Sequence, residues 1–103
     1  MLYEDTNHPH YGVVSCIKLF KERNGTVIFV GNSTGFIRKF DIETQKHMKP
    51  LYDDALFQNK VTCIDISEDG EHLLAGYRKG TVVLWDTNKC KVCRIMKDVA
   101  KND

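Results

Sequence analysis

Apolar, β-branched and aromatic residues run through this chain in short bursts, each closed by Gly, Asn, Asp or Ser, and no stretch of comparable length repeats its apolar positions at helical spacing. The bursts read as eight strands. The first half gives Val13–Phe20, Val27–Asn32, Phe36–Ile42 and Lys46–Tyr52; the second gives Val61–Ile66, His72–Tyr77, Thr81–Asp86 and Lys91–Met96. Between them, Asn24-Gly25 and Asp69-Gly70 offer the positive φ that a tight hairpin needs, and Gly35 and Gly80 do the same one turn later. Glu43-Thr44-Gln45 and Thr87-Asn88-Lys89 form polar third turns.

The two halves are one pattern written twice. TVIFVGNSTGFIRKFDI, from Thr26 to Ile42, superposes on EHLLAGYRKGTVVLWDT, from Glu71 to Thr87. Gly25 falls on Gly70, Gly31 on Gly76, Gly35 on Gly80, Phe40 on Trp85 and Asp41 on Asp86, each pair 45 residues apart. The first strands are offset by 47, as Val14 and Val61 show, which puts two extra residues in Lys21-Glu22-Arg23-Asn24. A surface hairpin absorbs such an insertion at little cost. A repeat of about 40 to 45 residues, closed by an aromatic-Asp pair, is the mark of β-propeller blades. The expected fold is therefore all-β: two consecutive four-stranded antiparallel blades, part of a larger propeller or of an oligomeric ring. The expected organisation is an N-terminal loop over 1–12, blade 1 over 13–52, a linker over 53–60, blade 2 over 61–97 and a tail over 98–103.

The stretch VTCIDISEDGEHLLAGYRKGTVVLWDTNKCKVCRI resembles a WD-repeat blade, with Trp85-Asp86 as its dipeptide, Ser67-Glu68-Asp69-Gly70 as its first turn and Phe40-Asp41 as the weaker copy. In many blades of that family a His before the first strand, a Ser or Thr in the second, the Trp of the third and an Asp of the second hairpin share a buried hydrogen-bond network. The resemblance implies that this network is broken here. His10 stands at the His position of the copy that has Phe40, and Phe57 at that of the copy that has Trp85. Val30 and Ala75 hold the Ser/Thr positions, and Thr34 and Lys79 the Asp positions. Incomplete polar networks do not stabilise, so apolar packing must hold each blade and the Trp85 indole must find another acceptor. The phrases GNSTGFIRKFD and GYRKGTVVLWD, separated by VTCIDIS, are also similar to adjacent blades in the N-terminal propeller of the vacuolar-sorting subunit of the CORVET endosomal tethering complex. That resemblance implies vesicle tethering with the propeller as a protein-contact platform.

Composition narrows the function classes. With 15 Lys and Arg against 14 Asp and Glu, the net charge is +1 and the lysines are scattered, so no nucleic-acid footprint is expected. No apolar run approaches the ~20 residues of a membrane span, and MLYEDTNHPHYG is no secretory leader. The expectation is a soluble cytoplasmic protein, peripheral on endosomal membranes if the second resemblance holds, with four reduced cysteines.

Candidate chemistry is sparse. Cys90 and Cys93 have the spacing of a zinc or redox pair, but zinc needs four ligands and a redox CxxC opens a helix, not a hairpin. Cys16 and Cys63 are repeat equivalents. His8 and His10 make at most half a metal site, and His47 and His72 fall at strand starts. Asp53-Asp54 reads as a solvated turn and Asp65 as a local hydrogen-bonding group. No catalytic motif and no cofactor site are expected. Arg38, Tyr77, Arg78 and Lys79, near the second turns, are the expected interface. Two blades alone would leave outer sheet faces bare, so partners are expected: further blades, copies of the chain or subunits of a multiprotein complex. The expected role is a non-catalytic protein-interaction scaffold. A zinc or redox module and a short-chain lectin-like ring are the rival readings.

Overall fold

The computed structural model describes residues 12–46 and 48–99, which form two antiparallel sheets. Blade 1 is the meander β1 (Val14–Glu22), β2 (Gly25–Asn32) and β3 (Ile37–Asp41). Blade 2 is the meander β4 (Val61–Ile66), β5 (His72–Tyr77), β6 (Thr81–Asp86) and β7 (Lys91–Met96). The two strand patterns superpose down to a bulge near the start of each first strand, between Val14 and Cys16 and between Val61 and Cys63.

Blade 1 departs from the expected four strands. Among the described residues, the segment expected as its fourth strand, Lys46–Tyr52, makes one bridge, Leu51 to Ile37, with Met48 N–H donating to the Lys39 carbonyl and Asp41 N–H to the Lys46 carbonyl. The register slips on the way: Leu51 exchanges both backbone bonds with Ile37, but it is Met48 and not Lys49 that donates to Lys39, so no regular ladder forms. The linker is also more ordered than a loop: Asp54–Leu56 is one 3-10 turn, capped by Asp53 Oδ1 accepting from Ala55 N–H at 2.9 Å, and it buries Leu56. The two extra residues of the first hairpin lengthen β1 and leave Arg23-Asn24 as a two-residue turn, with Glu22 opposite Gly25.

Asp41 and Asp86 close their third strands for a local reason. Each carboxylate accepts two backbone N–H groups of the following turn, from Glu43 and Thr44 at 3.0 and 3.1 Å and from Asn88 and Lys89 at 2.9 Å. These bonds hold both carboxyls below the usual carboxylate range.

Strand register sorts the side chains into faces. In blade 1, Cys16, Phe29 and Ile37 share one face, and Leu19, Ile28, Val30 and Phe40 the other. In blade 2, Cys63, Leu74, Val82 and Leu84 share the face equivalent to the first of these, and Ile66, Leu73, Ala75 and Trp85 the face equivalent to the second. The blades stack with unlike faces together: Val27, Phe29 and Ile37 meet Leu73, Ala75, Tyr77, Val83 and Trp85 in one core, closed by Leu51, Leu56 and Val61. Ile28, Val30 and Phe40 form a second, smaller cluster on the far face of blade 1.

Gly31 marks where the blades touch most closely. A Cβ there would lie 2.6 Å from Cys16 Sγ and 2.7 Å from Val61 Cγ1 of blade 2. At the equivalent Gly76 it would meet Cys63 Sγ at 2.7 Å but no following blade. Substituting Gly31→Val should therefore destabilise the chain by about 1–3 kcal/mol through overpacking, and Gly76→Val by less. Urea midpoints of the two variants check this; equal losses would mean that the inter-blade seam is not the tight one.

Candidate protein-interaction site

One buried polar pair of blade 2 lies in the core at the seam between the blades. Trp85, on β6, is fully buried, and its indole Nε1–H donates to the Tyr77 phenol oxygen at 3.3 Å. Tyr77, the last residue of β5, is the acceptor the indole required, one strand away instead of in the family's network. Burial pushes the Tyr77 phenol well above its ordinary value, and the hydrogen bond from Trp85 offsets only part of this.

Polar links flank the same seam. The Ser15 hydroxyl lies 2.5 Å from the Val61 carbonyl oxygen, and Lys18 Nζ is 3.5 Å from Asp65 Oδ1. Asp65 is thus an exposed ion-pair partner across β1 and β4, not the locally bonded group expected. Cys90 Sγ lies 3.7 Å from the Lys49 carbonyl oxygen on the opposite side of the seam.

One end of the molecule gathers loops from both blades. The turn at Gly35 and the turn at Gly80 are bridged by the linker: Gln58 N–H donates to the Thr34 carbonyl at 3.1 Å, Arg78 N–H to the Lys60 carbonyl at 2.8 Å and Lys79 N–H to Asn59 Oδ1 at 3.2 Å. Gly35 has φ +101°, and a Cβ would run into the Leu56 carbonyl. Arg78 and Lys79 stand exposed here, as an interface would need. Arg38 and Tyr77 do not. They are only 5% and 4% exposed: Arg38 lies mid-strand opposite Val30, its guanidinium 5.0 Å from the Phe40 ring centroid, and Tyr77 faces the core. Tyr77 turns into the inter-blade core, whereas Arg38 lies on the far face of blade 1 with Val30 and Phe40; of the four residues expected at an interface, Arg78 and Lys79 are the exposed ones.

The same end carries residues that sequence reasoning passed over. Phe57 is 60% exposed directly after the 3-10 turn. Phe36 and Tyr52 stack with ring centroids 3.9 Å apart at an interplanar angle of 5°. Burial first, then the Asp54 and Asp53 carboxylates, raise the Tyr52 phenol above its ordinary value. The missed signal was the aromatic content of LYDDALF, Leu51 to Phe57, which linker composition does not require.

The remaining candidates do not converge. All four cysteines are free; Cys90 sits in the β6–β7 turn with φ +56°, and Cys93 is exposed on β7. Among the described residues no three His, Cys, Asp or Glu side chains gather as metal ligands. Burial raises the Cys16 thiol, with the neighbouring Cys63 adding a small push in the same direction. His72 is exposed, whereas His8, His10 and His47 lie outside the described residues. Gly25 opens β2, Gly70 ends the first turn of blade 2 against the Phe20 ring, and Gly80 turns the chain into β6. No helix among the described residues is long and apolar enough to cross a membrane.

Replacing Tyr77→Phe leaves the Trp85 indole buried without an acceptor and should cost about 1–3 kcal/mol. Because the folded phenol resists ionisation while the unfolded one ionises near its ordinary value, stability is full below about pH 10 and falls as pH rises beyond it. Urea midpoints measured between neutral and alkaline pH should decline for the wild type and decline less steeply for Tyr77→Phe.

No curated protein sequence matches the chain. Among solved structures it is similar to the Cps50 (Swd1) β-propeller domain of Myceliophteria thermophila, with a TM-score of 0.70 at 24% identity, over 84% of this chain and 25% of that one. This likeness shows the fold, and the chain spans about a quarter of the propeller it matches. The model of the Vps8 β-propeller family matches residues 1–103. The all-β blades, their repeat and this match agree: the chain belongs to the Vps8 β-propeller family.

Proposed function

We propose that the chain is a non-catalytic scaffold segment whose work is protein contact, serving the tethering of endosomal vesicles and vacuolar protein trafficking from the cytoplasmic side. The observation that carries the reading is the outer face of blade 2. It is the repeat equivalent of the blade 1 face that receives blade 2, and among the described residues no blade lies upon it. Phe29 is buried under blade 2, while Leu74, in the same slot 45 residues on, is 44% exposed opposite Leu84. An apolar face of this shape is suited to another blade, from a longer propeller or from a second copy, with a head-to-tail contact that continues round a ring. We assign blade 1 to 13–52, the linker to 53–60 and blade 2 to 61–97.

The loop end with Arg78, Lys79 and Phe57 supports the same role, since exposed Arg and aromatic side chains are favoured at interfaces. The family supports the endosomal setting, because Vps8 is the name that the resemblance to a CORVET subunit leads to. A zinc or redox module is less favoured, because Cys90 and Cys93 have no third ligand near them among the described residues.

Proximity labelling from a tagged copy of the chain in cells should enrich components of endosomal tethering complexes over a propeller of unrelated family. Enrichment confined to another compartment, or none above the control, would remove the endosomal role.

A further inference from the structure

We infer that the groove between the outer edges of the two blades is a docking site for an acidic linear peptide carrying an apolar anchor. This deepens the reading of the chain as a protein-contact platform and rests on it. The groove has a volume of about 460 Å³ and runs between the segment after β3 and the β6–β7 turn. Its floor is apolar: Phe29 and Leu51 belong to the inter-blade core, and Met48 rises from it half-exposed. Its rim is cationic, with Lys49 on the blade 1 wall and Lys89 on the blade 2 wall, both exposed. A third lysine, Lys39, is held 3.1 Å from Glu22 and contributes less net charge.

The charge of the groove selects its occupant. Three lysines line it, and no Asp or Glu does among the described residues. Among the described residues neither Lys49 nor Lys89 forms a salt bridge, unlike Lys18 and Lys39, although the Asp86 carboxylate lies within electrostatic reach of Lys89. The acidic pair Asp53-Asp54 belongs to the opposite, loop end, through the linker that caps Gly35. A chain of net charge +1 therefore sets lysines on both sides of one cleft that no Asp or Glu lines among the described residues. An extended peptide fits this arrangement: one apolar side chain packs against the exposed Met48 above the buried Phe29 and Leu51, and carboxylates on either side reach the two ammonium groups. The irregular backbone of 48–51 makes the cleft. A regular fourth strand would continue the sheet of blade 1, whereas the slipped pairing, Leu51 with Ile37 but Met48 with Lys39, leaves Met48 and Lys49 lining the space beside the β6–β7 turn.

The test is fluorescence polarisation of the whole chain with a labelled short peptide of aspartate and glutamate around two central leucines. The expected result is saturable binding that weakens with salt, lost when serines replace the leucines and when lysines replace the acids. In the chain, Lys49→Glu with Lys89→Glu should weaken binding about tenfold, while Lys21→Glu on the remote hairpin changes it less than about twofold. Near-ultraviolet circular dichroism checks that the variants keep the fold. Unchanged binding by the double variant, or no binding by the wild type, overturns the inference. So does a preference for phosphatidylserine vesicles over the peptide, since a membrane would then be the occupant. Proximity labelling separates the two readings. If the wild type has no protein partners, the scaffold reading fails; if the double variant keeps all of them, only the groove inference fails.

Discussion

A β-sheet has two faces, and the structure of this chain depends on how the two sheets share theirs. Blade 1 offers Val27, Phe29 and Ile37, and blade 2 covers them with the opposite face, built around Trp85, Leu73 and Ala75. Like faces do not meet. This head-to-tail stacking buries one continuous core and necessarily leaves one face of each kind at the two ends. The hydrophobic area gained at the seam is what makes the pair of sheets stable, because each sheet alone would be a meander with an exposed apolar side.

Unlike stacking gives equivalent residues unequal surroundings. Trp85 is fully buried at the seam, whereas its repeat partner Phe40 sits in the minor cluster with Ile28 and Val30. Ile17 and Leu19 of β1 are exposed, while Ile64 and Ile66 of β4, in the same slots, pack against the core. The loss of the polar network seen in many WD blades follows the same logic. With Ala75 and Lys79 at two of its positions, the Trp85 indole keeps no network partner, and a neighbouring strand supplies Tyr77 as its acceptor. A single satisfied hydrogen bond inside an apolar seam is a sparing solution, since every further buried polar group would need a partner of its own.

Function follows from what the seam leaves open. The outer face of blade 2 is shaped by the repeat to receive another sheet. The loop end presents Arg78, Lys79 and Phe57 on a rigid base, because the linker is hydrogen-bonded to turns of both blades. The outer cleft sets lysines over an apolar floor. All three are the surfaces we propose for contact, and ionisable groups with displaced affinities serve turns and packing: Asp41, Asp69 and Asp86 hold backbone N–H groups, and Tyr77 holds an indole.

The amino-acid sequence by itself determined the strands from Val61 to Met96, the blade repeat, the turn aspartates and the need of Trp85 for a new acceptor. Those features are local, set by alternation, by glycine and by side chains bonding their own turns. Only the tertiary structure decided that Tyr77 is that acceptor, that Tyr77 faces the core and that Arg38 is buried, because strand periodicity says which residues share a face but not which face is covered. It also decided that Leu56 belongs to the core and that the chain after β3 bridges Ile37 once instead of forming a strand. The reason is the same in each case: burial depends on which sheet lies above a face, and no local pattern encodes its neighbour.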